Sequence, residues 1–249
     1  MRKVIRRFPK LDSLLYKEQV YLKLRNKEGR LLKDEIVREL PFISKNSEHF
    51  KEWKSRQHAL KMLFKYLDEK KDNLTILDLG CGNGWMSAKI ADRGFEVTGV
   101  DINSKELEQA NRVFSSARLN FEYADILRNP PLESFDVIIL ASSIQYFPSI
   151  TELIETLLTY LNPGGEILIM ETHFYSKDEI TKAKKRSLQY FNQMEAKEMA
   201  SFYFHHTLAS LESFNYKIIH QNTPSFFNKL LNPYKSIFPI ITISGSSSV

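Results

Sequence analysis

The segment Leu77-Asp78-Leu79-Gly80-Cys81-Gly82-Asn83-Gly84 places three glycines at alternate positions, directly after an apolar run that carries a carboxylate. The run Thr75-Ile76-Leu77 predicts a buried strand, and residues 85–91 predict the helix that follows it. Glycines at a strand-to-helix turn allow a tight bend and let a ligand lie directly on the backbone. The segment therefore predicts a cofactor-binding loop.

The spacing of the glycines separates this loop from two other nucleotide-binding loops. The nicotinamide dinucleotide fingerprint is G-x-G-x-x-G, whereas the third glycine here comes one residue earlier, as G-x-G-x-G. A phosphate-binding P-loop needs a Gly-Lys-Ser/Thr triplet, which this segment lacks. The loop is therefore expected to hold a different nucleoside.

Carboxylates also follow the next two apolar runs. Residues 95–100 end at Asp101, where a carboxylate can hold both hydroxyls of a ribose and would repel a 2′-phosphate. Residues 119–124 end at Asp125, which is placed to accept a hydrogen bond from an adenine amino group. Together with Asp78, these two residues predict an acidic rim that suits a cationic nucleoside without phosphates.

These segments resemble those of the class I S-adenosylmethionine-dependent methyltransferases of the small-molecule type. Residues 135–143 match the fourth strand of that family and the polar turn after it, and residues 161–169 match its helix-turn-strand entry into strand five. The resemblance covers residues 74–173, and residues 207–243 more loosely. It implies an α/β, Rossmann-like, doubly wound sheet of seven strands, mostly parallel with an antiparallel last strand.

The resemblance also implies the cofactor, S-adenosyl-L-methionine, and its product S-adenosyl-L-homocysteine. In the family the glycine loop carries the methionine moiety, the acid after strand two binds the ribose, and the acid after strand three faces the adenine. Cys81 lies inside the loop and is interpreted as a residue chosen for its small size. The expected cofactor-binding residues are Asp78, Gly80, Cys81, Gly82, Asn83, Gly84, Asp101, Ile102, Asp125, Ile126, Ala141 and Ser142.

The composition fits one globular enzyme domain with additions. The chain has 249 residues, of which 43% are hydrophobic and 26% charged. Its longest apolar stretches fall short of the roughly 20 residues that span a bilayer. A single cysteine excludes an internal disulfide and, without a signal-peptide pattern, predicts a cytoplasmic protein.

The charge balance permits an anionic partner without requiring one. The net charge is +5, and the two densest basic clusters lie at residues 2–10 and on a predicted helix at residues 177–186. Both are interpreted as solvated surface, because aromatic side chains do not alternate with the basic residues as they do in many RNA-binding segments. A nucleic-acid partner is therefore not expected, and neither is a membrane span.

The chain is divided into a front segment, a core and a tail. Residues 1–72 predict a helical extension that packs on the core and walls the cofactor mouth. Residues 73–243 predict the methyltransferase domain, with a helical cap inserted at residues 174–206. A last helix and strand six are expected within residues 208–219, an antiparallel strand seven at residues 235–243, and a polar mobile tail at residues 244–249.

Candidate acceptor-site residues lie near the cap and near the turn after strand four. A hydroxyl acceptor needs its proton removed, and histidine is the commonest base for that task. His205, His206 and His173 are the candidates, and the phenol of Tyr146 is expected to orient the acceptor. The front segment offers Arg25 or Arg30 to the methionine carboxylate or to the substrate. Cap aromatic residues are expected to enclose the acceptor.

The expected function is O- or N-methylation of a small or medium organic acceptor. Residues 142–147 read Ser-Ser-Ile-Gln-Tyr-Phe and lack the Asn/Asp-Pro-Pro-aromatic turn found in relatives that methylate nucleobases, which argues against base methylation. A metal site is not indicated by any motif, although scattered carboxylates are left open as ligands. Two alternatives remain, an RNA or protein methyltransferase and a non-catalytic S-adenosylmethionine-binding regulatory protein.

Overall fold

A seven-stranded sheet forms the centre of the computed structural model, which describes residues 9–129, 133–220 and 238–245. The strand order is β3-β2-β1-β4-β5-β7-β6. The strands are β1 Thr75–Leu79, β2 Glu96–Asp101, β3 Leu119–Tyr123, β4 Phe135–Ala141, β5 Leu161–Met170, β6 Tyr216–His220 and β7 Ile240–Ser244.

Helices cover the sheet and extend beyond its carboxyl edge. The α-helices are α1 Pro9–Lys27, α2 Asp34–Glu39, α3 Phe50–Asp68, α4 Trp85–Ala91, α5 Ser104–Val113, α6 Ile150–Leu158 and α7 Lys177–Gln193. Three short 3₁₀ helices span Ile144–Tyr146, Lys197–Phe202 and Leu208–Leu211.

The pairing of the strands confirms the predicted fold class. Strands β1 to β5 pair in parallel, and β7 runs antiparallel between β5 and β6. The strand order reverses between β1 and β4, and open α/β sheets bind ligands in the crevice at such a switch point. The predicted cofactor loop, directly after β1, lies beside this point.

The central strands are apolar on both sides because helices cover both faces of the sheet. Along β1, Ile76 packs with Leu63 of α3 and Ile90 of α4, whereas Leu77 packs on the opposite face with Leu153 of α6. These three partners and both strand residues are fully buried. This double core fixes the register of β1 and with it the position of the loop that follows.

Side-chain caps set the first residues of helices that border the carboxyl edge. The Asn103 side chain accepts a hydrogen bond from the Glu106 amide at the start of α5. Ser176 and Glu179 form a capping box at the start of α7. Helix α7 therefore begins at a defined point, with its N-cap residue Ser176 six residues beyond the end of β5.

Two predicted details of the last third of the chain were wrong. The expected last helix is a single 3₁₀ turn, Leu208–Leu211. Its two leucines are three residues apart, which puts them on the same side of a 3₁₀ helix, and both pack in the same core cluster. Residues 161–169 were expected to turn before strand five. They are already extended, because Leu161 pairs with Phe135 and an irregularity then brings Glu166 opposite Val137.

The end of the chain differs from the prediction by a few residues. Ser244, expected to begin the tail, is the last residue of β7 and pairs with Glu166. Strand seven begins at Ile240, and residues 235–237 of the predicted strand lie outside the described residues, as do tail residues 246–249. The basic cluster at residues 2–10 lies outside the described side chains.

Candidate active site

A cavity of about 1230 Å³ opens at the carboxyl ends of the central strands. We call residues 78–86, 101–106 and 124–128 its floor, and α1 together with residues 174–206 its roof. Every predicted cofactor-binding residue other than Gly84 lines this cavity. The loops after β1, β2, β3 and β4 thus converge on one site.

The glycine loop is shaped by left-handed backbone and by close neighbours. Gly80 and Gly84 have φ angles of 80° and 75°. A Cβ atom on Gly80 would lie 2.6 Å from the Cβ of Ser143, and one on Gly84 would lie 2.4 Å from the ring of Phe121. Gly84 therefore supports the loop from below, since it packs on β3 and not on the cavity.

Asp101 joins the end of β2 to the glycine loop. Its carboxylate accepts hydrogen bonds from the amides of Gly82 and Asn103, both at 2.9 Å. Burial raises the pKa of Asp101, while these amide donors oppose that shift. The carboxylate is therefore held in one orientation, lines the cavity, and keeps capacity on both oxygens to accept further hydrogen bonds.

Two further floor carboxyls, buried Asp78 and partly buried Glu106, have raised pKa values. Asp78, which is 1% exposed, accepts a 2.6 Å hydrogen bond from the hydroxyl of Ser87 on α4. Burial raises the pKa of Asp78 to about 7. Burial and the neighbouring Asp101 raise the pKa of Glu106 to about 7 as well. A cation bound above this floor would favour the ionised forms of both groups.

Asp125 lies at the far end of the floor, beneath a lysine of α1. Its carboxylate accepts from the Leu127 amide at 3.2 Å and lies 3.1 Å from the Arg128 guanidinium. Above it, the ammonium of Lys17 donates a 3.0 Å hydrogen bond to the carbonyl of Tyr146. Burial lowers the pKa of Lys17, while Asp125 and Asp101 oppose that shift.

Alternating charges line another wall of the cavity, and we call them the ion-pair chain. Adjacent members lie 2.5 to 3.3 Å apart and join α1, the turn after it, α3 and the end of β5. In order, the members are Arg25, Glu28, Arg30, Glu52, Arg56 and Glu171. Every member lines the cavity. This wall can therefore meet a zwitterion with groups of either sign.

Sequence reasoning selected Arg25 and Arg30 but missed the four acidic and basic partners that complete the ion-pair chain, Glu28, Glu52, Arg56 and Glu171. Glu52 and Arg56 are four residues apart on α3, a spacing that places both on one helix face. Glu171 directly follows β5, in the same position at which acids were sought after the first three strands. A search for carboxylates at the end of the fifth apolar run, as at the ends of the first three, would have identified Glu171 from the sequence.

Strained backbone occurs at the ends of both β4 and β5. Ser142 and Glu171 have φ angles of 54° and 53°, a left-handed conformation that is costly for residues other than glycine. The hydroxyl of Ser142 donates a 3.0 Å hydrogen bond to the carbonyl of Glu171. Strained residues of this kind cluster at functional sites.

Aromatic side chains form the roof. Tyr146 makes edge-to-face contacts with Tyr21 of α1 at 5.7 Å and with Tyr203 at 6.0 Å between ring centroids. The hydroxyl of Tyr146 also accepts a 2.9 Å hydrogen bond from Arg25. The aromatic residues predicted for the cap all line the cavity, and they are Tyr175, Tyr190, Phe191, Phe202, Tyr203 and Phe204.

The cap and α1 are joined to each other as well as to the sheet. Lys27 of α1 forms an ion pair with Glu195, and the hydroxyl of Tyr190 donates to Glu28. Val20 and Leu24 pack with cap residues in a separate apolar cluster. The two elements thus close the cavity as one roof.

The two adjacent histidines point in opposite directions because residues 203–207 are extended. His206 is 7% exposed, lines the cavity and has its Nε2 at 3.1 Å from the carbonyl of Ile144. His205 has its Nε2 at 2.9 Å from the hydroxyl of Ser187, and it is absent from the residues that line the cavity. Burial lowers the pKa of both histidines.

His173 and Tyr146 complete the candidate set, and both line the cavity. The ring of His173 lies 4.3 Å from that of Tyr175 between centroids, and it makes no hydrogen bond with the part of the chain that the structure describes. Cys81 is buried, and burial raises the pKa of its thiol. The structure thus places no reactive thiolate in the glycine loop.

Among residues 9–129, 133–220 and 238–245, no group of three or more His, Cys, Asp or Glu side chains is arranged to hold a metal ion. Of the helices in these same ranges, none is long and apolar enough to cross a membrane.

A family model described as a methyltransferase domain matches residues 48–221, more than half of the chain. A sterol 4-C-methyltransferase from Caenorhabditis elegans is 34% identical over 133 residues, which cover 49% of this chain and 40% of that protein. The 27-O-demethylrifamycin SV methyltransferase from Amycolatopsis mediterranei is 36% identical over 100 residues, which cover 38% of this chain and 37% of that protein. The chain thus spans less than half the length of these curated relatives.

A solved structure shares the fold over almost the whole chain. The magnesium protoporphyrin IX methyltransferase from Synechocystis PCC 6803, crystallised with bound S-adenosylhomocysteine, has a TM-score of 0.62. The alignment covers 92% of this chain and all of that one, at 15% sequence identity. The match supports the Rossmann-like architecture described above.

Proposed function

The chain belongs to the methyltransferase domain family, and we propose that it transfers the methyl group of S-adenosylmethionine to an organic acceptor of small or medium size. The observation that carries this proposal is one continuous cavity, which runs from the glycine loop to the aromatic roof. Sites for a single drug-sized ligand are about 300–1,000 Å³. The cavity exceeds that range and has room for a donor and an acceptor together.

The floor suits the donor by charge and by geometry. Asp101 keeps lone pairs for the ribose hydroxyls, and Asp125 lies where an adenine amino group can donate to it. The buried acids beneath favour a sulfonium cation over a neutral or phosphorylated nucleoside. The residues proposed to hold the donor are the predicted set, with Gly84 acting from beneath the loop.

The chemistry asks the protein mainly to align and to exclude water. A lone pair of the acceptor atom forms the new bond to the methyl carbon, while the electrons of the breaking carbon–sulfur bond remain on sulfur, giving S-adenosylhomocysteine. Holding both partners in line removes much of the entropic barrier. The roof of α1 and the cap is placed to keep water from the sulfonium.

The aromatic walls support an acceptor with extended apolar surface. The names of the two curated relatives specify a sterol and a rifamycin derivative, and both of those acceptors are large ring systems. In this chain, Tyr203 and Phe191 stand edge to face at 5.5 Å, and Tyr146 continues the same wall. Such walls gain affinity from ring burial without fixing the atom that is methylated.

Where the acceptor atom carries a proton, we assign its removal to His173. The ring lines the cavity and is not engaged by a hydrogen bond within the described ranges. His206, in contrast, has its Nε2 against a main-chain carbonyl, so that nitrogen donates a proton and cannot accept one. Tyr146 is proposed to orient the acceptor, with its hydroxyl fixed by Arg25.

Calorimetric titration with S-adenosylhomocysteine tests the donor site. The wild type should bind, and ligand at about 100 times its Kd should raise the free energy of unfolding by about 2.7 kcal/mol. Asp101→Ala should weaken binding by about 1.5–3 kcal/mol, because a charged acceptor is lost. Asp72→Ala, an exposed change away from the cavity, is the matched control. Binding of NAD in place of S-adenosylhomocysteine would overturn the proposal.

Turnover separates an enzyme from a regulatory protein. With labelled S-adenosylmethionine and a panel of ring-containing alcohols, phenols, acids and amines, label should pass to at least one small acceptor. Transfer only to RNA or to protein would favour the alternative methyltransferase class. Tight donor binding with no transfer to any acceptor would favour a non-catalytic sensor.

A further inference from the structure

The outer end of the cavity carries a cation that methyl transfer itself does not use. Arg186 of α7 lines the cavity beside Ser187, and its charge acts on Tyr175 by lowering the pKa of the phenol against the effect of burial. Within residues 9–129, 133–220 and 238–245, its guanidinium forms no ion pair. The other cavity arginines differ, because Arg25, Arg30, Arg56 and Arg128 each lie against a carboxylate.

The acid nearest to Arg186 on the same helix is already engaged. Glu179 accepts hydrogen bonds from the amide and the hydroxyl of Ser176, at 3.0 and 2.9 Å, and so completes the capping box. Those contacts lower the pKa of Glu179, and the charge of Arg186 adds to the effect. Lys184, two residues before Arg186 on the same helix, adds a second positive charge that reaches His205. The mouth of the cavity therefore carries the guanidinium of Arg186, which has no carboxylate within ion-pair distance in the part of the chain that the structure describes.

The opposite end of the same cavity is negative. The floor carries four carboxyl groups, which belong to Asp78, Asp101, Glu106 and Asp125. A ligand that fills the space between the two ends meets carboxylates at one end and aromatic rings along its length. At the other end it meets a guanidinium that forms no ion pair with any described residue. Acceptors that carry an anionic group can be oriented by this gradient, whereas neutral acceptors have no equivalent anchor.

We propose that the acceptor is an apolar organic anion, whose oxyanion group binds Arg186 at the mouth while its ring system lies against the aromatic roof. This inference rests on the proposed function, since it concerns the acceptor side of the same cavity. Guanidinium binds carboxylate and similar oxyanions through two parallel hydrogen bonds, which fix direction as well as position. Anchoring the anion at the mouth directs the far end of the acceptor toward the donor, and Arg186 thereby selects the atom that is methylated.

Two fluorescent probes test this anchor without knowledge of the natural acceptor. 8-Anilinonaphthalene-1-sulfonate carries an oxyanion on an apolar ring system, and N-phenyl-1-naphthylamine has the same rings without the sulfonate. Both are titrated into the full-length protein saturated with S-adenosylhomocysteine, and the ratio of their Kd values is measured for each variant. Arg186→Gln keeps the length and polarity of the side chain and removes its charge. Lys185→Gln, exposed on the same helix and absent from the cavity lining, is the matched control.

The wild type should bind the sulfonate more tightly than the neutral probe. Arg186→Gln should weaken sulfonate binding about tenfold or more, as expected for loss of a hydrogen bond to a charged group, and should leave the neutral probe unchanged. An unchanged ratio in Arg186→Gln, or an equal loss in Lys185→Gln, would overturn the proposal. Titration with S-adenosylhomocysteine alone reports separately on the donor site, so failure there contradicts the proposed function and not this anchor.

Discussion

The floor and the roof of the cavity are built in different ways. On the floor, Asp78 meets Ser87 and Asp101 meets Gly82, contacts that span 9 and 19 residues of sequence. In the roof, Arg25 meets Tyr146 across 121 residues, and Lys27 meets Glu195 across 168. The donor end therefore depends on a compact motif, whereas the acceptor end depends on segments that only the complete fold brings together.

This difference leads us to expect that donor binding and turnover can be separated by mutation. The largest expected effect is at His173, beneath the roof. With an acceptor that must lose a proton, His173→Ala should lower turnover by a factor on the order of 10²–10⁴. Affinity for S-adenosylhomocysteine should be unchanged, as measured by calorimetry.

His205→Ala serves as the matched control for His173, because His205 does not line the cavity. It should leave turnover close to that of the wild type. His206→Ala should act on stability, costing about 1–3 kcal/mol through the lost hydrogen bond to Ile144. Normal turnover in His173→Ala would exclude His173 as the base. A loss of turnover in His205→Ala would favour His205, which the sequence analysis also named as a candidate base.

A smaller effect, on stability, is expected from the support beneath the floor. Gly84→Ala forces a Cβ to within 2.4 Å of Phe121 and 2.8 Å of Ala110. Gly164 has a similar φ, 79° against 75°, and nothing within 4 Å of the added atom. In urea unfolding, Gly84→Ala should therefore cost about 1–3 kcal/mol more than Gly164→Ala, because only Gly84→Ala overpacks the core. Equal costs would show that the backbone conformation alone matters.

The smallest expected effect concerns the acids of the floor and depends on pH. The pKa of Glu106 is raised from 4.5 to about 7, so the folded state holds a proton that the unfolded state releases. Stability is therefore fully present below about pH 4.5 and is lost as the pH rises to about 7. Glu106→Gln should raise the free energy of unfolding by about 1–2 kcal/mol at pH 8 and by little near pH 5.

Glu108→Gln is the control for Glu106, since Glu108 is exposed on the same helix. Urea unfolding of the apo protein at pH 5 and pH 8 measures both variants. The same stability gain at the two pH values in Glu106→Gln would contradict a raised pKa of Glu106 in the folded protein.

Much of the floor was predictable from the sequence because its signals are local. Alternating glycines, an apolar run and a terminal carboxylate recur within a few residues of one another, and the strands and α4 formed close to where these patterns indicated. The register of a parallel strand buried on both faces is also strongly constrained. The predicted fold and the strand-end positions of Asp101 and Asp125 followed from this.

The roof was less predictable because its partners are distant in sequence. Aromatic residues of the cap could be named, but not the contact of Tyr203 with Tyr146, nor the way in which Arg25 fixes the Tyr146 hydroxyl. The ion-pair chain also escaped, although Glu171 shared the strand-end position of the other acids. Orientation of His205 and His206 required the extended backbone of residues 203–207, which no periodicity in that segment indicated.

The position of β7 has a consequence for synthesis of the protein. β6 is an edge strand whose neighbour in the sheet is β7, and β7 in turn pairs with β5. A nascent chain that has reached residue 239 therefore contains β6 but has nowhere in the sheet to place it. Truncation before residue 240 removes β7 and with it the attachment of β6, so that β5 becomes the edge strand of the sheet, paired only with β4. An incomplete chain therefore exposes one side of an apolar strand, which favours aggregation.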